Sequence, residues 1–136
     1  MNNELKELCS LNIELYKCIT KDIATDKVVL TNKQLIHIAE HHPESYNDVL
    51  IELKETILSP DYIIEDKKHR DTGLVVRKIY SDKKSTRHSF LILKICTDTE
   101  NDELANSIIS GWVISEKRLN SYLRNNTILY KKEQSC

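Results

Sequence analysis

The stretch Thr31–Pro60, TNKQLIHIAEHHPESYNDVLIELKETILSP, decides the fold, because two helical patterns run back to back through it and the hydrophobic period changes where it ends. Thr31-Asn32-Lys33-Gln34 is a capping box: the Thr31 hydroxyl can accept from the backbone N–H of Gln34 while the Gln34 side chain reaches back. A helix is predicted from there to about His42, where Pro43 disfavours helical geometry at the residue before it yet suits the first turn of a following helix. In that second helix Tyr46, Val49, Leu50, Leu53 and Ile57 fall at i, i+3, i+4, i+7 and i+11, one apolar stripe closed by Ser59-Pro60.

Beyond Pro60 the period drops from 3.6 to 2. Tyr62–Ile64, Leu74–Tyr80, His88–Thr97 and Asn106–Ser115 read as strands, and their short polar connections predict a four-stranded antiparallel meander. A short helix follows from Glu116, with Leu119, Tyr122 and Leu123 on one face, before a basic tail at Lys131-Lys132. Upstream the pattern is ambiguous. Leu5, Leu8 and Leu15 allow a helix, whereas Cys9, Leu11, Ile13 and Leu15 alternate with polar residues. The favoured reading is a short strand or ribbon over Ile13–Ile19, a polar turn at Ala24–Lys27 and a brief strand at Val28–Leu30, with residues 1–12 peripheral or disordered. The expected fold class is α+β, a single domain over residues 1–136: an N-terminal ribbon and two helices, then the meander sheet and a short C-terminal helix.

Composition narrows the function. An apolar content of 40% in 136 residues suffices for one core, and 20 Lys plus Arg against 21 Asp plus Glu leave a formal charge of −1, so nucleic-acid binding has to rest on local patches. With 2 glycines and 2 prolines there is no Gly-rich phosphate loop, which excludes a P-loop or dinucleotide site, and no cofactor is expected. No apolar run approaches the roughly 20 residues that span a bilayer. Cys9, Cys18, Cys96 and Cys136 form no C-x-x-C pair, and no cleavable signal precedes them; four reduced thiols in a cytoplasmic protein are the expectation.

Three of the five histidines lie between Thr31 and Pro43, and an imidazole titrates near neutrality, so this helix is the first place to look for proton transfer or metal binding. On a helical wheel Leu35, Ile38 and Ala39 point inward and His37 and His41 share the polar face; His42 would point inward if the helix persisted, which Pro43 leaves open. His41 also reads as a plain surface residue. A zinc reading from His37 and His41 lacks the glutamate after the first histidine, where Ile38 stands, and a third ligand. In the third meander strand Leu91, Leu93 and Ile95 form the core face, and Lys94 shares the other with His88, Phe90, Ile92 and Cys96, at a strand centre among apolar neighbours. Alternation in the fourth puts Asn106, Ser110 and Trp112 on one face and Ser107 with Ile109 and Val113 on the other. Two basic loops, Lys67-Lys68-His69-Arg70 and Lys83-Lys84 with Arg87, are either solvated turns or, on one side of the sheet, a grip for a phosphate backbone.

In order along the chain, Asp22-Ile23-Ala24-Thr25-Asp26-Lys27-Val28-Val29-Leu30-Thr31, His37-Ile38, His42-Pro43-Glu44, Ser59-Pro60-Asp61-Tyr62-Ile63, Leu93-Lys94, Asn106-Ser107-Ile108-Ile109-Ser110 and Ile128-Leu129-Tyr130-Lys131 resemble the phage-type branch of the Barnase-EndoU-Colicin E5/D-RelE-like nuclease families. The resemblance covers nearly the whole chain from about Ile13. It implies a small metal-independent endoribonuclease with its site on the open face of the sheet: His37 and His42 as the paired helix histidines, Lys94 as the strand lysine, and Asn106-Ser107 with Ser110 as the Asn-Ser-x-x-Thr/Ser motif. His41 stands where the family is often basic and Ser110 where threonine is common, and neither change removes an acid–base group. The resemblance further implies catalytic roles for His37, His42, Lys94 and Ser110, substrate contacts from Asn106 and Ser107, an RNA substrate such as tRNA, and a phage or mobile-element toxin with an immunity or antitoxin partner; the basic loop adds Lys83, Lys84 and Arg87 as expected substrate contacts. The alternative is a catalytically inactive RNA- or protein-binding accessory module on the same fold.

Overall fold

A computed structural model describes residues 5–82, 85–100 and 103–133. The elements in chain order are β1 (Leu5–Ser10), α1 (Ile13–Tyr16), β2 (Lys27–Thr31), α2 (Asn32–His41), α3 (Tyr46–Leu58), β3 (Tyr62–Glu65), β4 (Thr72–Asp82), β5 (Ser85–Lys94), β6 (Asn106–Ser115), α4 (Glu116–Asn125) and β7 (Ile128–Lys131). The strands form one mixed sheet in the order β1-β2-β6-β5-β4-β3-β7. The predicted meander is its centre, with β3, β4, β5 and β6 each antiparallel to the next. The class is α+β, but the sheet is seven-stranded, not four-stranded. β2 lies parallel to β6, β1 covers β2, and the Lys131 segment read as a basic tail is the end of β7, paired with β3.

Two further expectations fall at the N-terminus. Residues 5–10 are not peripheral but pair with β2 as an edge strand. The segment from Ile13 to Tyr16 is a helical turn, not a strand: Asn12 accepts from the Leu15 N–H at 3.2 Å, and the buried Tyr16 donates its hydroxyl to the Ile57 carbonyl at 2.8 Å. That long-range hydrogen bond outweighs local alternation.

The capping box forms as expected. The Gln34 N–H donates to the Thr31 hydroxyl at 3.1 Å and the Thr31 N–H to the Gln34 side-chain Oε1 at 3.2 Å. In α3, Val49, Leu53, Thr56 and Ile57 are buried, while Tyr46 is half-buried and Leu50 exposed, so the stripe is narrower than its spacing suggests. Both faces of the sheet carry a core. On one, α1 and α3 pack Tyr16, Val49, Leu53 and Ile57 against Ile63, Val75, Leu91, Leu93, Ile95 and Ile108. On the other, α4 lays Leu119 against Phe90, Ile114 and Val76, pinned where His88 Nε2 meets the Glu116 carboxylate at 2.6 Å.

A bulge in β6 resets the faces. Ser110 pairs with Ile92, yet Ile108 pairs with Leu93, so Ile109 is the extra residue. One inserted residue reverses every side chain before it. Ser107 therefore shares a side with Ser110, Trp112 and Lys94, and Asn106 goes with Ile108 to the α3 side, the reverse of simple alternation. No helix of the described residues is long and apolar enough to cross a membrane. Cys9, Cys18 and Cys96 are unbridged, and Cys136 lies outside the described residues.

Thr31→Ala removes the α2 cap and is expected to cost about 0.5–2 kcal/mol of folding stability, read as a lower midpoint in chemical denaturation with an unchanged slope.

Candidate active site

β2 and β6 pair only through Val28–Asn106 and Val29–Ser107, and α2 with the turn after it packs against the rest of the β6 edge. There the buried Ser45 hydroxyl accepts from the Val113 N–H at 3.2 Å, satisfying a strand group that has no neighbouring strand. Ile38 is fully buried beneath the helix. This seating leaves the polar face of α2 outside. His37 and His41, one turn apart and exposed, hold their rings 4.4 Å apart.

His42 is different. It caps α2 at φ −136° and ψ 56°, its N–H still bonded to the Ile38 carbonyl at 2.8 Å, and Pro43 carries the chain out of the helix. The half-buried imidazole stacks on the Trp112 indole, with centroids 4.5 Å apart and planes 17° from parallel. Burial lowers its pKa below the ordinary histidine value; the Glu44 carboxylate opposes this, and His41 and His37 add to it.

Ser110 precedes Trp112 on the same side of β6. It is 5% exposed, and its hydroxyl has no hydrogen-bond partner among the described residues. Buried hydroxyls are rarely left unpaired, so this one is an exception that calls for a partner beyond the described residues. Lys94 lies one rung further, about 7 Å along the strand from the level of Ser110, opposite Ser107. It is exposed at the end of β5, not enclosed at a strand centre, because the next N–H, that of Ile95, turns to the Asp71 carbonyl at 2.8 Å. Lys94 and Ser107 line a cavity of about 220 Å³ together with Asp71, Asp98 and Glu103.

The other expected residues lie elsewhere. Asn106 is fully buried: its side-chain Oδ1 accepts from the Cys96 N–H at 2.8 Å and its side-chain Nδ2 donates to the Thr25 and Lys27 carbonyls at 2.9 and 3.0 Å. It holds chain segments together and has no free face for a substrate. Arg87 is exposed but sits seven residues from Lys94, about 23 Å along β5, and on the opposite side of the sheet. Lys83 and Lys84 lie outside the described residues. Of the other basic loop, Lys67 donates to the Asn125 carbonyl at the end of α4 and His69 faces Asp66. The structure thus groups His37, His41 and His42, stacks His42 on Trp112, places Ser110 two residues from Trp112 on the same side of β6 with Lys94 and Ser107 on the next rung, and leaves Asn106 and Arg87 out. Sequence reasoning sets Trp112 on the face of Ser110 and Glu44 in the His42-Pro43-Glu44 motif but gives neither a role; the signals are a single tryptophan two residues from Ser110 and a carboxylate two after His42. Among the described residues no three His, Cys, Asp or Glu side chains are grouped as a metal ion would require.

A sheet layered by helices, with imidazoles, an unpartnered hydroxyl and a lysine along one side, carries the groups that nucleases use on phosphodiesters. The model of the family described as phage-Barnase-EndoU-ColicinE5/D-RelE like nuclease2 matches residues 5–131, and the chain belongs to that family. No curated protein and no solved structure matches it.

Two substitutions separate structural from chemical roles. Asn106→Ala leaves the Cys96 N–H and two carbonyls without their partner and is expected to lower folding stability by at least about 1–3 kcal/mol, measured by denaturant melts. Glu44→Gln removes the carboxylate that favours the charged imidazole, so the His42 pKa falls further; an NMR titration of the ring protons reads the shift, and an unchanged pKa would show that Glu44 does not act on this ring.

Proposed function

We propose that the protein is an endoribonuclease that cleaves RNA by attack of a ribose 2′-hydroxyl on the adjacent phosphorus, with proton transfers by histidine and without a metal ion. The observation that carries this reading is the half-buried imidazole of His42 stacked on Trp112, two residues along the same side of β6 from the one unpartnered buried hydroxyl among the described residues, that of Ser110, on the Lys94 side of the sheet. His42 takes the proton from the 2′-hydroxyl as the 2′-oxygen bonds to phosphorus. His37 gives a proton to the departing 5′-oxygen as the phosphorus–oxygen bond breaks, which leaves a 2′,3′-cyclic phosphate and a free 5′-hydroxyl. Ser110 donates a hydrogen bond to a non-bridging oxygen, and the Lys94 ammonium offsets the charge that builds there. The requirement for a 2′-hydroxyl makes RNA the substrate class.

The lowered pKa of His42 supports its role as base. A base must be neutral to act, so activity rises as pH increases through that pKa, and the acidic limb of kcat/KM is expected below the ordinary histidine value of 6.5. Purified protein incubated with total RNA in excess chelator is expected to yield fragments ending in cyclic phosphate. His37→Ala and His42→Ala should each lose about 10²-fold or more in rate, with His41→Ala near the parent. Lys94→Met should fall as steeply but keep the pH profile, since its part is charge and not proton transfer. A folded parent that leaves every RNA intact would refute the reading and favour a non-catalytic binding module; dependence on His41 instead of His42 would refute the assignment of the base.

A further inference from the structure

We propose that Trp112 is the positioning residue of the site: it orients the His42 imidazole through the face of the ring and thereby leaves both ring nitrogens free to exchange protons. The inference rests on the assignment of His42 as the base, and it starts from how the histidines of this chain are held. His88 is anchored through Nε2 to Glu116 at 2.6 Å and His69 through Nδ1 to Asp66 at 3.0 Å. Each ring thus has one nitrogen engaged by a carboxylate. His42 has no such anchor. Among the described residues neither of its nitrogens has a hydrogen-bond partner, and its backbone lies off the helix, so helical geometry does not aim the ring. The near-parallel indole does.

Trp112 is suited to that task by its own support. It stands within β6, and its ring meets Phe90 across the strand pair at 5.0 Å; Phe90 meets Tyr122 of α4 at 4.7 Å, and the Arg118 guanidinium lies 5.9 Å over the Tyr122 ring. A row of rings therefore runs from α4 across the sheet to His42. The charged and titratable groups that act on His42 come from its own side, Glu44 in the turn and His37 and His41 on α2, while β6 presents the indole. Covering one face of the imidazole excludes water from it, which is part of the burial that lowers its pKa. A base misplaced by about 1 Å can lose on the order of 10²-fold in rate, so an orienting contact of this kind acts on turnover more than on binding.

The test uses the full chain with Trp112→Phe, Trp112→Ala and Trp112→Leu, the last retaining bulk without a ring in case the alanine variant does not fold. His42 ring protons are followed by NMR against pH without substrate, and kcat and KM are measured on a short RNA oligonucleotide. The alanine or leucine variant is expected to lose about 10- to 100-fold in kcat with KM within about twofold. Its His42 protons should lose the shift that a stacked indole imposes, and the ring should titrate closer to the ordinary value. Trp112→Phe should recover most of both. Parent-like shifts and titration of His42 in a folded alanine or leucine variant would overturn the proposal, as would a rise in KM at constant kcat, which would make the indole a platform for a base of the RNA. Should the parent cut no RNA, the functional reading fails while the NMR comparison still decides whether the indole orients the imidazole.

Discussion

The carboxamide of Asn106 is the knot from which the rest of the structure hangs. At the first residue of β6 it joins the Cys96 N–H, just past the end of β5, to the Thr25 and Lys27 carbonyls that lead into β2. Strands brought together from distant parts of the chain must settle their register, and β2 has only two paired positions on β6 with which to do so. The buried amide supplies the missing constraint, since any slip would strand three polar groups without partners. β2 in turn delivers Thr31 to the start of α2, so the histidines are placed by an asparagine on another strand.

Downstream of that knot the bulge at Ile109 decides which residues face the site. Without the inserted residue, Ser107 and Ser110 would lie on opposite sides of the sheet; with it, they fall in line with Trp112 and face Lys94 and Ile92 on β5. Gly111 belongs to the same adjustment. A Cβ there would sit 2.5 Å from Leu91 Cδ2, 3.2 Å from the Phe90 carbonyl oxygen and 3.4 Å from Val49 Cγ1, so the absence of a side chain lets α3 come close to the strand on the face opposite the site. One face is shaped by an added residue and the other by a missing side chain, within a few positions of the same strand.

What could be read in the chain alone follows from the range of the physical signal. The capping box at Thr31–Gln34, the Pro43 break, the buried positions Val49, Leu53 and Ile57 and the limits of β6 are local, and all are present in the structure. The ordered short motifs also sufficed to point to the family. Local pattern does not reveal the strands β1 and β7 or the turn at Ile13–Tyr16, because each is settled by a distant partner: β2, β3 and the Ile57 carbonyl. Alternation cannot register an inserted residue, so it assigns Ser107 to the wrong face. A motif cannot show whether an asparagine faces a ligand or its own backbone, and the Asn106 carboxamide faces the backbone. His37, His42 and Lys94 could be named from sequence, but not that His42 leaves the helix to lie on an indole or that Lys94 sits among carboxylates at a strand end.

The contact between His42 and the protein's single tryptophan has an optical side. Indole emission is quenched more strongly by a protonated imidazole than by a neutral one, and no other indole contributes to the signal. The intrinsic fluorescence of this protein therefore carries the charge state of one histidine, and the unlabelled chain serves as its own reporter of what happens at that ring.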